Sequence, residues 1–288
     1  MSHTLAHLLP TDGASLGIRL WLKSSAYTRR LLLGESADPW ESASQYLSYF
    51  SQAQGLLKPD VAVLEVGELF DAWLARHPEV KPELVGKRKL SFPLRKLLEQ
   101  SAPRELLAEI VAALLAHLRG ATPLVLSMPS PRAWLKHANR LAGRADIEVA
   151  PDSIEDAAMY VADLVRAVSA YEVGGLLLEE ETAQTGDAPL DLELYRPIIN
   201  VTKHYRWPLA VRLGQAEYLA NEALTDIELS ISSTRLQGWG LAQGIDVSRQ
   251  LWGGEEIPPL APSQFYFVEV PSNERPEHVL DCLGRLRG

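Results

Sequence analysis

The stretch Val173-Gly174-Gly175-Leu176-Leu177-Leu178-Glu179-Glu180-Glu181 sets an unbroken apolar run directly against three acids. A short run that is apolar at every position reads as a strand buried on both faces. In a parallel α/β sheet the C-terminal strand ends are where the chain meets its ligands, so the acids fall on the functional edge. Period-two alternation sends Glu179 and Glu181 to one side and Glu180 to the other.

Working outward, seven further segments share this design. They are Ile18 to Leu22, Val61 to Val66, Pro123 to Met128, Leu209 to Leu213, Ile227 to Ile231, Ile245 to Val247 and Phe265 to Val270. Helical periodicity follows most of them. Asp38-Pro39-Trp40-Glu41 carries an N-cap acid, proline at the first helical position and a glutamate able to reach back. Ser153-Ile154-Glu155-Asp156 reads as a similar box. Leu107, Ile110, Val111, Leu114 and Leu118 recur at helical spacing before Gly120, and Ala157, Val161, Leu164, Val165 and Val168 form the next stripe. Val279, Leu280, Leu283 and Leu286 give the last helix an apolar face.

Strands alternating with helices mean βαβ units and a parallel sheet. Eight units in 288 residues predict one α/β domain, a closed (β/α)8 TIM barrel over 1–288 with residues 1–14 as an N-terminal extension. No Gly-x-Gly-x-x-Gly follows the first strand, which argues against dinucleotide binding.

Composition narrows the function classes. A hydrophobic content of 47% and a charged content of 23% are those of a globular protein. The net charge of −9 argues against phosphate-backbone binding, so no nucleic-acid partner is expected. No apolar stretch approaches a membrane span and the start lacks a signal-peptide pattern, so a cytoplasmic protein without membrane partners is expected. Cys282 is the one cysteine and reads as a core thiol. No histidine pair has ligand spacing, so neither metal nor other cofactor is expected.

The order of segments resembles the uroporphyrinogen decarboxylase and cobalamin-independent methionine synthase superfamily of barrels. The resemblance is carried by Asp156-Ala157-Ala158-Met159-Tyr160-Val161-Ala162-Asp163-Leu164, by the acids ending the Leu176 run, by Pro123 to Pro131, and by Val270 to Val279. It implies a site at the strand C-termini and either of two chemistries, a decarboxylase-like lyase reaction or methyl transfer. The methyl-transferring branch holds zinc through His-x-Cys and a further cysteine, and this chain has no His-x-Cys. The arginine-rich loop of the decarboxylase branch is also missing, although Arg19, Arg29 and Arg30 lie in that part of the chain.

The expected catalytic residues are Glu179, Glu180 and Arg212. A carboxylate at a barrel mouth acts as general base or grips an amine, and an arginine inside an apolar strand needs an anion, either an internal acid or a substrate carboxylate. Lys23, Glu65, Ser127, His137, Ser232 and Trp252 are the expected substrate contacts. Gly253-Gly254 offers a candidate phosphate turn, read more simply as a plain turn. The expected activity is a metal-independent, decarboxylase-like lyase acting on a small anionic organic substrate. A methyltransferase with an altered metal site and a non-catalytic binding barrel are the alternatives. A homodimer is left open.

Overall fold

The structure, a computed structural model, describes residues 5, 17–34, 38–145, 147–181, 191–214, 226–234 and 242–287. Eight parallel strands form a nearly closed barrel: β1 (Leu20–Lys23), β2 (Ala62–Glu65), β3 (Leu124–Pro129), β4 (Gly175–Glu179), β5 (Leu209–Arg212), β6 (Leu229–Ser232), β7 (Ala242–Asp246) and β8 (Gln264–Glu269). Their order is β1-β8-β7-β6-β5-β4-β3-β2, so sequence neighbours pair and the sheet curls until β1 faces β2. This is a (β/α)8 TIM barrel, as the alternation of segments predicts.

At its N-terminal end the seam between β1 and β2 is bridged by Asp60. The Asp60 amide donates to the Leu20 carbonyl at 3.3 Å, and Asp60 Oδ2 accepts from the amides of Arg19 and Leu20 at 2.9 and 2.8 Å. Among the described residues no regular ladder joins the two strands. Asp60→Ala strands two backbone donors and should lower stability by about 1–3 kcal/mol, read as a lower urea midpoint with an unchanged slope.

Alternation builds two apolar layers. Leu20, Leu22, Leu64, Leu126, Leu176, Leu178, Val211 and Val268 point outward to the helices. Trp21, Val125, Leu177, Ala210, Ile231, Phe265 and Phe267 fill the interior, where Trp21 stacks on Phe265 with centroids 6.0 Å apart. Gly244 lacks a side chain for a packing reason, since a Cβ there would lie 2.7 Å from the Phe265 ring. Leu5, the one described residue of the expected extension, is fully buried and donates its amide to Gly174 O at 2.9 Å. That residue belongs to the barrel rather than to an appendage.

Several local expectations need correction. Asp38 does cap Trp40 N at 2.9 Å, but it opens only a 3-10 turn, Pro39–Glu41. The following helix, Ala43–Leu57, starts from Ser42, and Glu41 bonds Gln45 instead of reaching back. The helix expected to open at Ser153 begins two residues earlier as Pro151–Arg166, with proline fixing its first turn. Asp156 meets Ser91 and Lys89 instead. In the final helix, Pro276–Arg287, Leu280 is 45% exposed and Cys282 takes the buried position. β7 starts at Ala242, three residues before the apolar Ile245, because Gln243 and Gly244 are weak strand formers that hide its first half.

Candidate active site

The inward face of the strands changes character at its upper end. Reading up each strand, Trp21 gives way to Lys23, Val63 to Glu65, Val125 to Ser127, Leu177 to Glu179, Ala210 to Arg212, Gly244 to Asp246 and Phe267 to Glu269. Seven strands thus deliver a polar side chain above a sealed apolar layer. Above them lies a cavity of about 520 Å³, lined by Lys23, Glu65, Glu179, Arg212, Asp246 and Glu269 and, at its rim, by residues of the neighbouring helices.

Arg212 holds one half of the mouth together. Its Nη1 donates to Glu179 Oε2 at 3.1 Å, and its Nη2 to Asp246 Oδ2 at 3.0 Å and Glu269 Oε2 at 2.7 Å. The guanidinium lies 4.5 Å from the Phe267 ring centroid, adding a cation–π contact. Burial opposes its charge, but the three carboxylates more than offset this and raise its pKa further. The anion that an inward arginine requires is therefore supplied by the chain itself.

Glu179 is the centre of the other half. Lys23 Nζ donates to its Oε2 at 2.5 Å and Ser127 Oγ to its Oε1 at 2.6 Å. Burial pushes the Glu179 carboxyl up, yet Lys23 and Arg212 outweigh it and hold it below the usual carboxylate range. Lys23 loses by burial and gains more from Glu65 and Glu179, so its pKa is raised and it stays an ammonium.

Glu65 has the opposite fate. It is 7% exposed, and among the described residues it forms no ion pair. Burial first, then repulsion from Glu179, push its carboxyl up to about 8, with Lys23 pulling only partly the other way. Glu68, one turn into the helix Val66–Arg76, is raised by burial against the pull of Arg29 and a 2.6 Å bond from Ser25 Oγ. At neutral pH the mouth thus holds a proton-bearing carboxyl and an ionised one. Opposed environments of this kind separate acid from base.

The expected residues divide. Lys23, Glu65, Ser127, Glu179 and Arg212 converge on the mouth. His137 reaches its rim, where its Nε2 lies 2.7 Å from Asp71 Oδ1. Glu180, on the outward phase of β4, borders the cavity, but its carboxylate accepts from the Tyr195 hydroxyl and from Arg132 Nε at 3.3 Å. These contacts tie it to the helix layer. Ser232 follows the inward Ile231 and so faces away, where its Oγ accepts from Thr234 N at 3.1 Å; Ser233 lines the cavity instead. Trp252 lies outside the mouth, donating to Glu269 O at 2.8 Å and meeting His278 edge-on. Gly253 and Gly254 close the short helix Ser248–Gly253 at its C-terminal end, so they offer no helix N-terminus to a phosphate. Glu181 pairs with Arg140 at 2.7 Å.

Asp246 and Glu269 escaped the sequence reading as site residues. Phe265-Tyr266-Phe267-Val268-Glu269 carried the signal, since the two buried phenylalanines share a phase that ends on the acid. Trp239, which its place between Gly238 and Gly240 makes a candidate exposed anchor, and the loop from Thr182 to Asp191, expected as an excursion over one face, lie outside the described residues apart from Asp191 itself.

Among the described residues no three His, Cys, Asp or Glu side chains converge as metal ligands, and no helix is long and apolar enough to cross a membrane. No family model matches the chain, and no curated protein matches it. Fold and site geometry therefore define the class: a (β/α)8 barrel whose C-terminal mouth pairs a neutral with an ionised carboxyl.

Proposed function

We propose that this protein is a metal-independent acid–base enzyme of the barrel class, working as a decarboxylase-like lyase on a small polar organic substrate. The observation that carries the reading is the convergence of Glu65, Lys23 and Glu179 on one cavity, above an apolar floor. Carbon–carbon cleavage that leaves a carbanion needs a proton donor for the new electron pair and a cation beside the electron-rich intermediate. Glu65 supplies the proton, Lys23 the cation, and Glu179 orients the lysine and accepts protons.

Charge limits the substrate. Eight acidic side chains and three lysine or arginine side chains line the cavity, so a polyanion would enter against the field. A substrate with one carboxylate, held by Lys23, fits better than a polycarboxylate. Kinship with the decarboxylase and methionine synthase superfamily, and a cytoplasmic setting with Cys282 kept as a buried thiol, belong to the same proposal. The methyl-transfer alternative gains no support from the donor set.

One observation favours a second reading, a barrel that binds a ligand without turnover: Glu179, Asp246 and Glu269 are all engaged by Arg212. The two readings separate by experiment. A panel of small 2-oxo, 3-oxo and 3-hydroxy monocarboxylic acids is incubated with the protein and followed by NMR for product and for released carbon dioxide. The enzyme reading expects turnover that falls about 10²–10⁴-fold in Glu65→Gln. Saturable binding with no product, or turnover untouched by Glu65→Gln, contradicts it.

A further inference from the structure

The barrel has a second, smaller cavity at the seam between β1 and β2, of about 40 Å³. Its walls come from the residues after β1 and from the helix Ala43–Leu57, and they carry the hydroxyls of Ser24, Ser25, Thr28, Tyr46 and Tyr49. Thr28 Oγ1 and Tyr49 Oη lie 2.6 Å apart, and Tyr49 Oη donates to Ser25 O at 3.2 Å. The half-buried Gln54 and Pro59 line it as well. At roughly 10–15 Å³ per water the space holds about three or four, and the wall offers the several polar partners that buried water requires.

One residue lines both this cavity and the mouth: Glu65. It stands at the C-terminal end of β2, where the sheet lacks a ladder to β1. On its other side lies Ser127, its register partner on β3, whose hydroxyl donates to Glu179 Oε1 at 2.6 Å. Lys23 from β1, Glu68, Glu179 from β4 and the phenols of Tyr46 and Tyr49 also bear on this carboxyl.

We infer that Glu65 is the inner end of a proton path that enters through the β1–β2 seam, separate from the mouth by which substrate enters. Each step balances. Water in the seam gives a proton to the Glu65 carboxylate and is left as hydroxide, or hydronium gives it and is left as water. Glu65 then gives that proton to the carbanion formed in the mouth and returns to the carboxylate. The path rests on the proposed acid role of Glu65, which it would recharge while substrate or product fills the mouth.

The test uses stopped-flow infrared spectroscopy of the whole chain mixed into D2O at pH 6. The protonated Glu65 carbonyl band is assigned by its absence from Glu65→Gln. Ala53→Leu fills the seam from the opposite wall without touching Glu65, and is expected to leave the band in place and slow its deuterium shift at least tenfold. An unchanged rate overturns the path while leaving the acid role intact. The absence of any Glu65 band overturns the acid role itself and the path with it. Should Ala53→Leu not fold, Thr28→Val decides in the same way, because it removes a seam hydroxyl and adds no bulk.

Discussion

Arg212→Ala lowers the stability of the folded protein by about 3–5 kcal/mol at pH 7, the range for removing one partner of a buried ion pair. The reason is the charge it leaves behind. Glu179, Asp246 and Glu269 lose their shared guanidinium, and Glu179 would keep only Lys23 and Ser127. The pH dependence has a defined sign. The folded-state pKa of Glu179 is depressed, so its contribution is present above the unfolded carboxylate range, near about 4.3, and is lost as pH falls through the lower folded value. The variant removes much of that contribution. Its deficit should be largest at neutral pH and shrink as pH falls below about 4.3, as chemical denaturation at several pH values will show. Arg212→Lys should recover only part of the loss, because one ammonium cannot reproduce the three directed contacts.

Glu65→Gln moves stability the other way. The folded Glu65 carboxyl titrates at about 8, against about 4.3 for an unfolded glutamate. A raised carboxyl favours the fold at low pH, and this advantage fades as pH climbs between the two values and is gone above the folded one. Glutamine resembles the protonated form and does not titrate. Glu65→Gln should therefore match the parent below about pH 4 and exceed it above pH 8 by a few kcal/mol, since each tenfold difference in proton affinity between the folded and unfolded chain is worth about 1.4 kcal/mol. Chemical denaturation across that pH range checks it. The same substitution is expected to abolish most activity. A gain in stability with a loss of function is the pattern of a residue kept for chemistry.

The eight strands were legible because each is a short apolar run, and a parallel sheet covered on both faces demands such runs. Glu179 was legible for the same reason, as the first acid after Leu178 on the inward phase of Leu177. Phase was harder to see where the strand end itself was uncertain. Ser232 reads as a mouth residue only if β6 ends at Ile231; with one more residue in the strand, Ile231 occupies the inner face and Ser232 the outer. Glu180 takes the outward phase by the same alternation, and its buried contacts with Tyr195 and Arg132 come from elements remote in sequence. Trp252 looked like a wall for a flat ligand because it follows β7 closely, yet the short helix that carries it turns it toward the outer layer. Asp246 was obscured by Gln243 and Gly244, which do not read as a strand. What no local pattern could supply is the division of charge: that Arg212 would gather three acids while Glu65, which also lines the mouth, would have no ion-pair partner among the described residues.

The most direct test of the divided carboxyls is a carbon-13 NMR titration of the glutamate side chains, with Glu65→Gln and Glu179→Gln to assign the two signals. The expected result is a Glu65 midpoint at about 8 and a Glu179 midpoint below the ordinary glutamate value, each moving when the other residue is replaced. Two midpoints near about 4.3, the value of an unperturbed glutamate, with no mutual dependence, would contradict it.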